Sequence, residues 1–274
     1  MQNQTIGFIG AGNMAASLIG GLIEAGFSAN NIWASDLDLE KLNILKQRYK
    51  INIDQDNQII AKSVEVLVFA VKPQVMKQTA QDLQKIIQNK KPLIITIAAG
   101  IRSDDFQNWL GGNQAIIRCM PNTPALIQCG ATALFSNSSV SEQQKHLAES
   151  LLRSVGITVW VTEESQLDVV TALSGSGPAY FFLIMDALEQ AAIKLGLTAE
   201  TAHLLTLQTT LGAAKMALES EHSLEQLRNN VTSPGGTTEA ALKTLFSANI
   251  SSILHDAINA AKIRSAELAE QFGK

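Results

Sequence analysis

Thr5-Ile6-Gly7-Phe8-Ile9-Gly10-Ala11-Gly12-Asn13-Met14-Ala15 decides how the first half of this chain is read. A short apolar run ends in Gly10-Ala11-Gly12-Asn13-Met14-Ala15, a G-x-G-x-x-A string. Met14, Leu18, Ile19, Leu22 and Ile23 then recur at helical spacing up to Gly26, where a helix should stop. Strand, glycine turn and helix in that order open a β-α-β unit. Such a turn admits a pyrophosphate, because glycine lets the backbone come close and the first N–H groups of the helix have no partner within it. Alone the string also fits a glycine turn kept for packing; its place between strand and helix makes dinucleotide binding the expectation.

Further strand candidates at 32–34, 51–53, 64–71, 93–97 and 115–119 alternate with helical patterns, the signature of a parallel sheet wrapped by helices. Residues 64–71 are nearly continuous in apolar side chains, as in a central strand covered on both faces, and break at Lys72-Pro73. Shorter strands are expected at 131–135 and 156–160, with a helix around 142–154 between them. Near residue 162 the pattern changes. Helices are expected at 180–195, 199–218, 238–245 and 250–270, and no convincing strand follows. The fold class is therefore α/β: a doubly wound, mostly parallel sheet over 1–162, then an all-α C-terminal domain over 163–274. Ala187, Leu188, Ala191, Ala192 and Leu195 leave little polar surface on their helix, and a domain of about a hundred residues can hardly bury several such helices internally. A second subunit is the expected cover.

Composition agrees. Of 274 residues 46% are hydrophobic and only 17% charged, against roughly 25% in ordinary soluble domains. Lys plus Arg at 21 against Asp plus Glu at 25 gives a net charge of -4, and no basic block is present to neutralise a row of phosphates, so nucleic acid is not an expected partner. The apolar runs at 64–71 and 93–99 fall short of the roughly 18 residues that span a bilayer, and no membrane association is expected. Met1-Gln2-Asn3-Gln4 carries no positive charge ahead of the first strand, which speaks for a cytoplasmic location. Cys119 and Cys129 have no C-x-x-C spacing and read as small buried side chains. His146, His203, His222 and His255 are scattered singly, so no metal is expected.

Ser35-Asp36 closes the second strand. A carboxylate there bonds the ribose 2′-hydroxyl of NAD and repels the 2′-phosphate of NADP, whereas Ser35 would bond that phosphate with Asp36 turned outward. Both cofactors stay open at this point. Ala70-Val71-Lys72-Pro73 and Ala98-Ala99-Gly100 close the fourth and fifth strands, whose carboxyl ends border the crevice of a doubly wound sheet. Lys72 reads equally as a solvated turn lysine. Ser233-Pro234-Gly235-Gly236-Thr237-Thr238, preceded by Asn230-Val231-Thr232, lies between helices; its glycines let backbone N–H groups converge on a carboxylate, with helix capping as the alternative role for either threonine. Ser174 to Pro178 reads as a tight glycine loop followed by proline in the first turn of a long helix, chiefly structural.

Gly7-Phe8-Ile9-Gly10-Ala11-Gly12-Asn13-Met14, Ala70-Val71-Lys72-Pro73, Arg118-Cys119-Met120-Pro121-Asn122-Thr123-Pro124, Ser174-Gly175-Ser176-Gly177-Pro178-Ala179-Tyr180 and Asn230 to Thr238 occur here in one order. Together they resemble the pyrroline-5-carboxylate reductase family. The resemblance runs across essentially the whole chain and implies a Rossmann-type domain followed by a helical dimerisation domain. It implies reduction of the C=N bond of 1-pyrroline-5-carboxylate to L-proline by NADPH, with NADH possible, in an active site completed between two subunits. Dimers would assemble into a larger ring such as a decamer. By the same resemblance Ile9, Gly10, Ala11, Gly12, Asn13, Met14, Ser35 or Asp36, Asn57, Ala70, Val71, Lys72, Pro73, Ile97, Ala98 and Ala99 line the cofactor, with Asn230 facing it. Val231, Ser233, Gly236, Thr237 and Thr238 hold the substrate, Glu164 lies near its ring, and Thr238 supplies the catalytic hydroxyl.

Hydride transfer to an imine that arrives protonated needs positioning rather than a strong acid, in keeping with a motif that holds neither His nor Lys. Two rival readings differ in class. A β-hydroxyacid dehydrogenase would use a helix lysine, for which Lys215 in Gly212-Ala213-Ala214-Lys215 is the candidate; a sensing or vitamin B6-binding scaffold would keep the fold without turnover.

Overall fold

Eight strands form one sheet in the computed structural model, which describes residues 4–273. Met1-Gln2-Asn3, used above in reading the N-terminus, lies outside the described residues, as does Lys274. The strands are β1 (Ile6–Ile9), β2 (Ile32–Ser35), β3 (Asn52–Asp54), β4 (Val66–Phe69), β5 (Leu93–Thr96), β6 (Ile116–Met120), β7 (Gly130–Ser136) and β8 (Gly156–Trp160). The helices are α1 (Asn13–Glu24), α2 (Leu39–Tyr49), α3 (Asn57–Ser63), α4 (Pro73–Lys90), α5 (Ser103–Trp109), α6 (Glu142–Arg153), α7 (Gln166–Val170), α8 (Gly177–Lys194), α9 (Ala199–Glu219), α10 (Leu224–Asn230), α11 (Thr237–Ser247) and α12 (Ile250–Phe272). All eight expected strand positions are occupied, and no strand follows Trp160 among the described residues.

The sheet order is β3-β2-β1-β4-β5-β6-β7-β8. Every neighbouring pair is parallel except β6 with β7. Ile6 is in register with Ile32 on one side and Val66 on the other, so the chain order reverses between β1 and β4. Alternation along the central strands splits their side chains between two apolar layers. Ile6, Phe8, Val66 and Val68 meet Leu18, Ile19 and Leu22 of α1; Ile9, Leu67 and Phe69 meet Met76, Ala80, Leu83 and Ile87 of α4. Gly7 lies where α3 presses on β1: a Cβ there would stand 2.5 Å from Ile60 Cγ2.

The chain divides into two compact units, one running through Ser176 and resuming at Ala260, the other Gly177–Asn259. The change of pattern at 162 marks where strands end, whereas the compact division falls later. The reason lies in two places. Glu164 and Asp168 bond partners within the first unit, and the end of α12 returns to it: Ser265 Oγ donates to Asp168 Oδ1 at 2.7 Å, and Leu268 and Phe272 lie against Gly100.

Three expectations need correction. Ser174 to Pro178 is no tight loop: neither Gly175 nor Gly177 has a positive φ, and Ser176 N–H donates to Thr171 O at 2.8 Å, an i to i−5 turn that carries the helix on into α8. Cys119 is buried as expected, but Cys129 is exposed. The helical stretch Gln166–Lys194 has a window of mean hydropathy 1.3 and is by length and composition long and apolar enough to cross a membrane, which counting uninterrupted apolar runs missed. Its surface is largely open in the single chain, with Phe181, Phe182 and Leu183 each more than 60% exposed. In the same unit α9 leaves Leu204 and Leu211 exposed.

Candidate active site

The reversal of strand order places a crevice at the carboxyl ends of β1 and β4, and the glycine turn sits on it. Gly10 has φ +102°, and a Cβ would lie 2.8 Å from Ala70 O, so only glycine fits between the two strand ends. Ile9 is fully buried in the core and offers the crevice only its backbone. Gly12 precedes the first residue of α1; a Cβ on it would meet nothing within 4 Å. The start of α1 has neither a capping side chain nor an acidic residue in its first turn, and Asn13 and Met14 begin it. Open space before an uncapped twelve-residue helix suits a pyrophosphate, so the residues present fit a bound dinucleotide.

Ser35 and Asp36 separate clearly. Ser35 is fully buried and its Oγ donates to Phe8 O at 3.3 Å, which removes it from the candidates for a 2′-phosphate. Asp36 turns inward onto the glycine turn, where Oδ2 accepts Ala11 N–H at 2.8 Å and Oδ1 accepts Asp38 N–H at 3.0 Å. Asp38 in turn caps α2 through Glu40 N–H and Lys41 N–H, and those bonds hold its carboxyl below the ordinary carboxylate value. Along the other wall, Ala70 and Val71 follow β4, while exposed Lys72 precedes Pro73, the first residue of α4. Ile97, Ala98 and Ala99 follow β5, with Ile97 N–H bonded to Phe69 O. Asn57 begins α3, whose cap is Asp56.

In the second unit the Ser-Pro-Gly-Gly segment joins α10 to α11. Asn230 ends α10 and Val231 follows it, 62% exposed. Gly235 takes φ +70°, and Gly236 N–H closes the turn on Ser233 O at 3.0 Å. Gly236 is the residue that caps α11, and no side chain bonds the helix start. Neither Thr237 nor Thr238 therefore acts as the cap. Both stand in the first turn with their N–H groups unused by a capping side chain, next to their own hydroxyls. Beside this turn a cleft of about 950 Å³ is lined by Arg228, Thr232, Gly235, Glu239, Lys243 and Phe246, with the Arg228 guanidinium 5.5 Å from the Phe246 ring centre.

Glu164 is committed elsewhere. Oε1 accepts Ser103 N–H at 2.6 Å and an Arg118 guanidinium N–H at 2.5 Å, and Oε2 accepts Ser103 Oγ–H at 2.9 Å. These bonds tie the segment before α7 to β6 and α5, with Arg118 only 9% exposed. In the single chain this carboxylate serves as a brace, a task the sequence did not announce. Sequence reading gave no role to Ser103, Arg118 or Asn122, although Arg118 and Asn122 stand in a quoted motif. Asn122 links Ser174 O at 3.0 Å to Ala131 N–H at 2.9 Å and so satisfies a carbonyl of the i to i−5 turn, while Met120 Cε fills the place a Cβ on Gly175 would take. Lys215 is largely exposed and pairs loosely with Glu219 one turn on, the pattern of a solvated helix face. Among the described residues, no three His, Cys, Asp or Glu side chains gather as a metal site.

Known proteins with these features are numerous. Residues 164–268 match the family described as pyrroline-5-carboxylate reductase dimerisation, and residues 5–100 match the family of coenzyme F420-dependent NADP oxidoreductases. A pyrroline-5-carboxylate reductase of Pseudomonas aeruginosa is 49% identical over all of both chains. The solved structure of a pyrroline-5-carboxylate reductase from Coxiella burnetii superposes with a TM-score of 0.94 at 48% identity, over 97% of this chain and 98% of that one. A Plasmodium falciparum pyrroline carboxylate reductase with NADP bound gives 0.87 at 29% identity, over 98% and 99%.

Proposed function

From the premise that this chain belongs to the pyrroline-5-carboxylate reductase family, we propose how its residues divide the work of the reaction. The enzyme reduces the C=N bond of 1-pyrroline-5-carboxylate to L-proline, the last step of proline biosynthesis, with NADPH. The bound cofactor supplies the hydride. Gly10, Ala11, Gly12, Asn13 and Met14 would hold its pyrophosphate, Asp36 and Asn57 its adenosine end, and Ala70 to Pro73, Ile97, Ala98 and Ala99 would line the rest; Asn230 is assigned to the cofactor by the family resemblance. Ser35 takes no part and Ile9 contributes backbone alone.

The observation that carries the substrate assignment is the uncapped start of α11, where Thr237 and Thr238 present N–H and hydroxyl groups together beside Ser233 and Gly236. A carboxylate is the ligand that such a helix start favours. Ser233, Gly236 and Thr237 hold it, Val231 packs on the ring, and the Thr238 hydroxyl orients the ring nitrogen. The imine binds protonated, so the hydride adds to its carbon, the π electrons pass to nitrogen, and nitrogen keeps its proton; the chain need supply only position. The rival lysine-based mechanism is disfavoured by the solvent-facing pairing of Lys215.

Residues 1–162 serve as the dinucleotide domain and 163–274 as the helical domain, a division supported by the family match beginning at 164. The open apolar surface of Gln166–Lys194 belongs, on this reading, to contact between subunits rather than to a bilayer. The dimer is the unit of function, a ring such as a decamer is its further assembly, and the enzyme works in the cytoplasm without nucleic acid. The test is oxidation of NADPH, and separately NADH, by the pure protein with and without 1-pyrroline-5-carboxylate. Substrate-dependent oxidation yielding proline is expected; none from a folded oligomer that binds dinucleotide would move the assignment to another imine or to a sensing scaffold.

A further inference from the structure

The turn between α10 and α11 is held from inside by an acidic side chain. Glu239 Oε2 accepts the backbone N–H of Gly235 at 2.7 Å. Gly235 sits at φ +70°, and the next residue closes back on Ser233, whose Oγ would stand 2.6 Å from a Cβ on Gly236. Because Gly236 caps α11 without a side chain, the usual forward bond from cap to helix is missing. Glu239, third residue of the helix, reaches back instead, as in a capping box but one residue further along the turn. The cleft beside the turn is lined by Glu239 together with Arg228 and Lys243.

We propose that Glu239 is a positioning residue for the reduction: by holding Gly235 N–H it fixes the shape of the 233–238 turn before substrate arrives. This rests on the assignment of that turn to the substrate carboxylate. Adjacent glycines give a backbone with many accessible conformations, and a turn left loose must be ordered at the expense of binding. The bond takes up Gly235 N–H and leaves those of Thr237 and Thr238 for the ligand. Its effect therefore falls on substrate affinity, not on cofactor affinity or on the hydride step.

The experiment uses the full-length enzyme with Glu239→Ala, Glu239→Met and Glu239→Gln. Steady-state constants are measured for 1-pyrroline-5-carboxylate and NADPH, and L-proline binding is measured by calorimetry. Glutamine keeps an acceptor oxygen and removes the charge; methionine keeps the length and removes the acceptor. In Glu239→Ala and Glu239→Met, KM for the imino acid and Kd for L-proline should both rise about fivefold or more, with kcat and KM for NADPH within about twofold of wild type. Glu239→Gln should restore both constants to within about twofold. Unchanged KM in the first two variants overturns the proposal, as does a fall in KM, which would make the carboxylate a competitor for the substrate's place. Equal impairment in Glu239→Gln also overturns it, by assigning the effect to charge. A wild-type enzyme that turns over no imino acid and binds no L-proline would overturn instead the reading of the turn as a substrate site.

Discussion

The carboxylate of Asp36 and the backbone N–H of Ala11 are joined at 2.8 Å, so the end of β2 is tied to the second residue of the glycine turn. An acid is thereby held where the adenosine ribose of a dinucleotide lies in doubly wound folds, and it disfavours a 2′-phosphate there even though a solved relative holds NADP. Asp36→Ser should raise the NADPH/NADH ratio of kcat/KM by about tenfold, equivalent to ~1.4 kcal/mol. An unchanged ratio takes Asp36 out of the specificity argument.

Thr238 stands second in α11 without a capping task. Removal of a hydroxyl that bonds a charged ring nitrogen forfeits about 1.5–3 kcal/mol, so Thr238→Ala should lower kcat/KM for the imino acid by about 10- to 100-fold. Thr238→Ser should recover most of it. Wild-type constants in Thr238→Ala would sink the assignment.

At Gly10 the backbone conformation and the nearness of Ala70 O act together. Gly10→Ala should lose roughly 1–3 kcal/mol of stability to backbone strain. Dinucleotide affinity, followed by quenching of tryptophan fluorescence, should weaken at least about tenfold. Binding unchanged from wild type would show that the turn adapts.

Glu164→Ala leaves the Arg118 guanidinium buried without its counter-charge. Because the Glu164 side chain keeps 23% exposure, the loss belongs below the full value for a broken buried pair, about 2–3 kcal/mol by urea unfolding. KM for the imino acid should stay at its wild-type value. The opposite pattern, a raised KM with stability intact, would place the main task of Glu164 at the substrate.

Burial pushes the Asp105 carboxyl above its ordinary value, with Arg102 pulling the other way. A raised native pKa means that the folded state holds its proton more tightly than the unfolded chain. That contribution to stability is complete below the unfolded value near pH 3.9 and is lost as pH rises through the native one, leaving ionised Asp105 unfavourable at neutral pH. Asp105→Asn should raise Tm at pH 7, and the gain should shrink below pH 4. A Tm at pH 7 no higher than wild type counts against this account.

Much of the fold was legible because it rests on local patterns. The strand runs, the glycine turn at Gly10-Ala11-Gly12 and the break at Lys72-Pro73 each declare themselves within a dozen residues. What stayed hidden depends on partners far apart in the chain. Glu164 finds Ser103 and Arg118, and Ser265 finds Asp168. No periodicity marks such pairs. The orientation of Asp36, and with it the release of Ser35 from any cofactor role, follows from which way a side chain turns at a strand end, which a hydrophobic pattern does not encode. The reach of Glu239 back to Gly235 did have a trace, since an acid four residues beyond a turn glycine at a helix start is a capping arrangement.

The return of α12 to the first unit sets an order of assembly during synthesis. Ser265, Leu268 and Phe272 are synthesised only after the whole of Gly177–Asn259, on the order of 4–18 s after Ser176 at about 5–20 residues per second. Until then Asp168 lacks its hydroxyl donor and Gly100 its apolar cover. The first unit is thus finished last, by a segment from beyond α8 to α11, and those helices are already complete, with their exposed apolar side chains, while they wait. A chain stopped after Asn259 would carry all of the turn between α10 and α11 yet lack Ser265, Leu268 and Phe272, the last cover of its first unit.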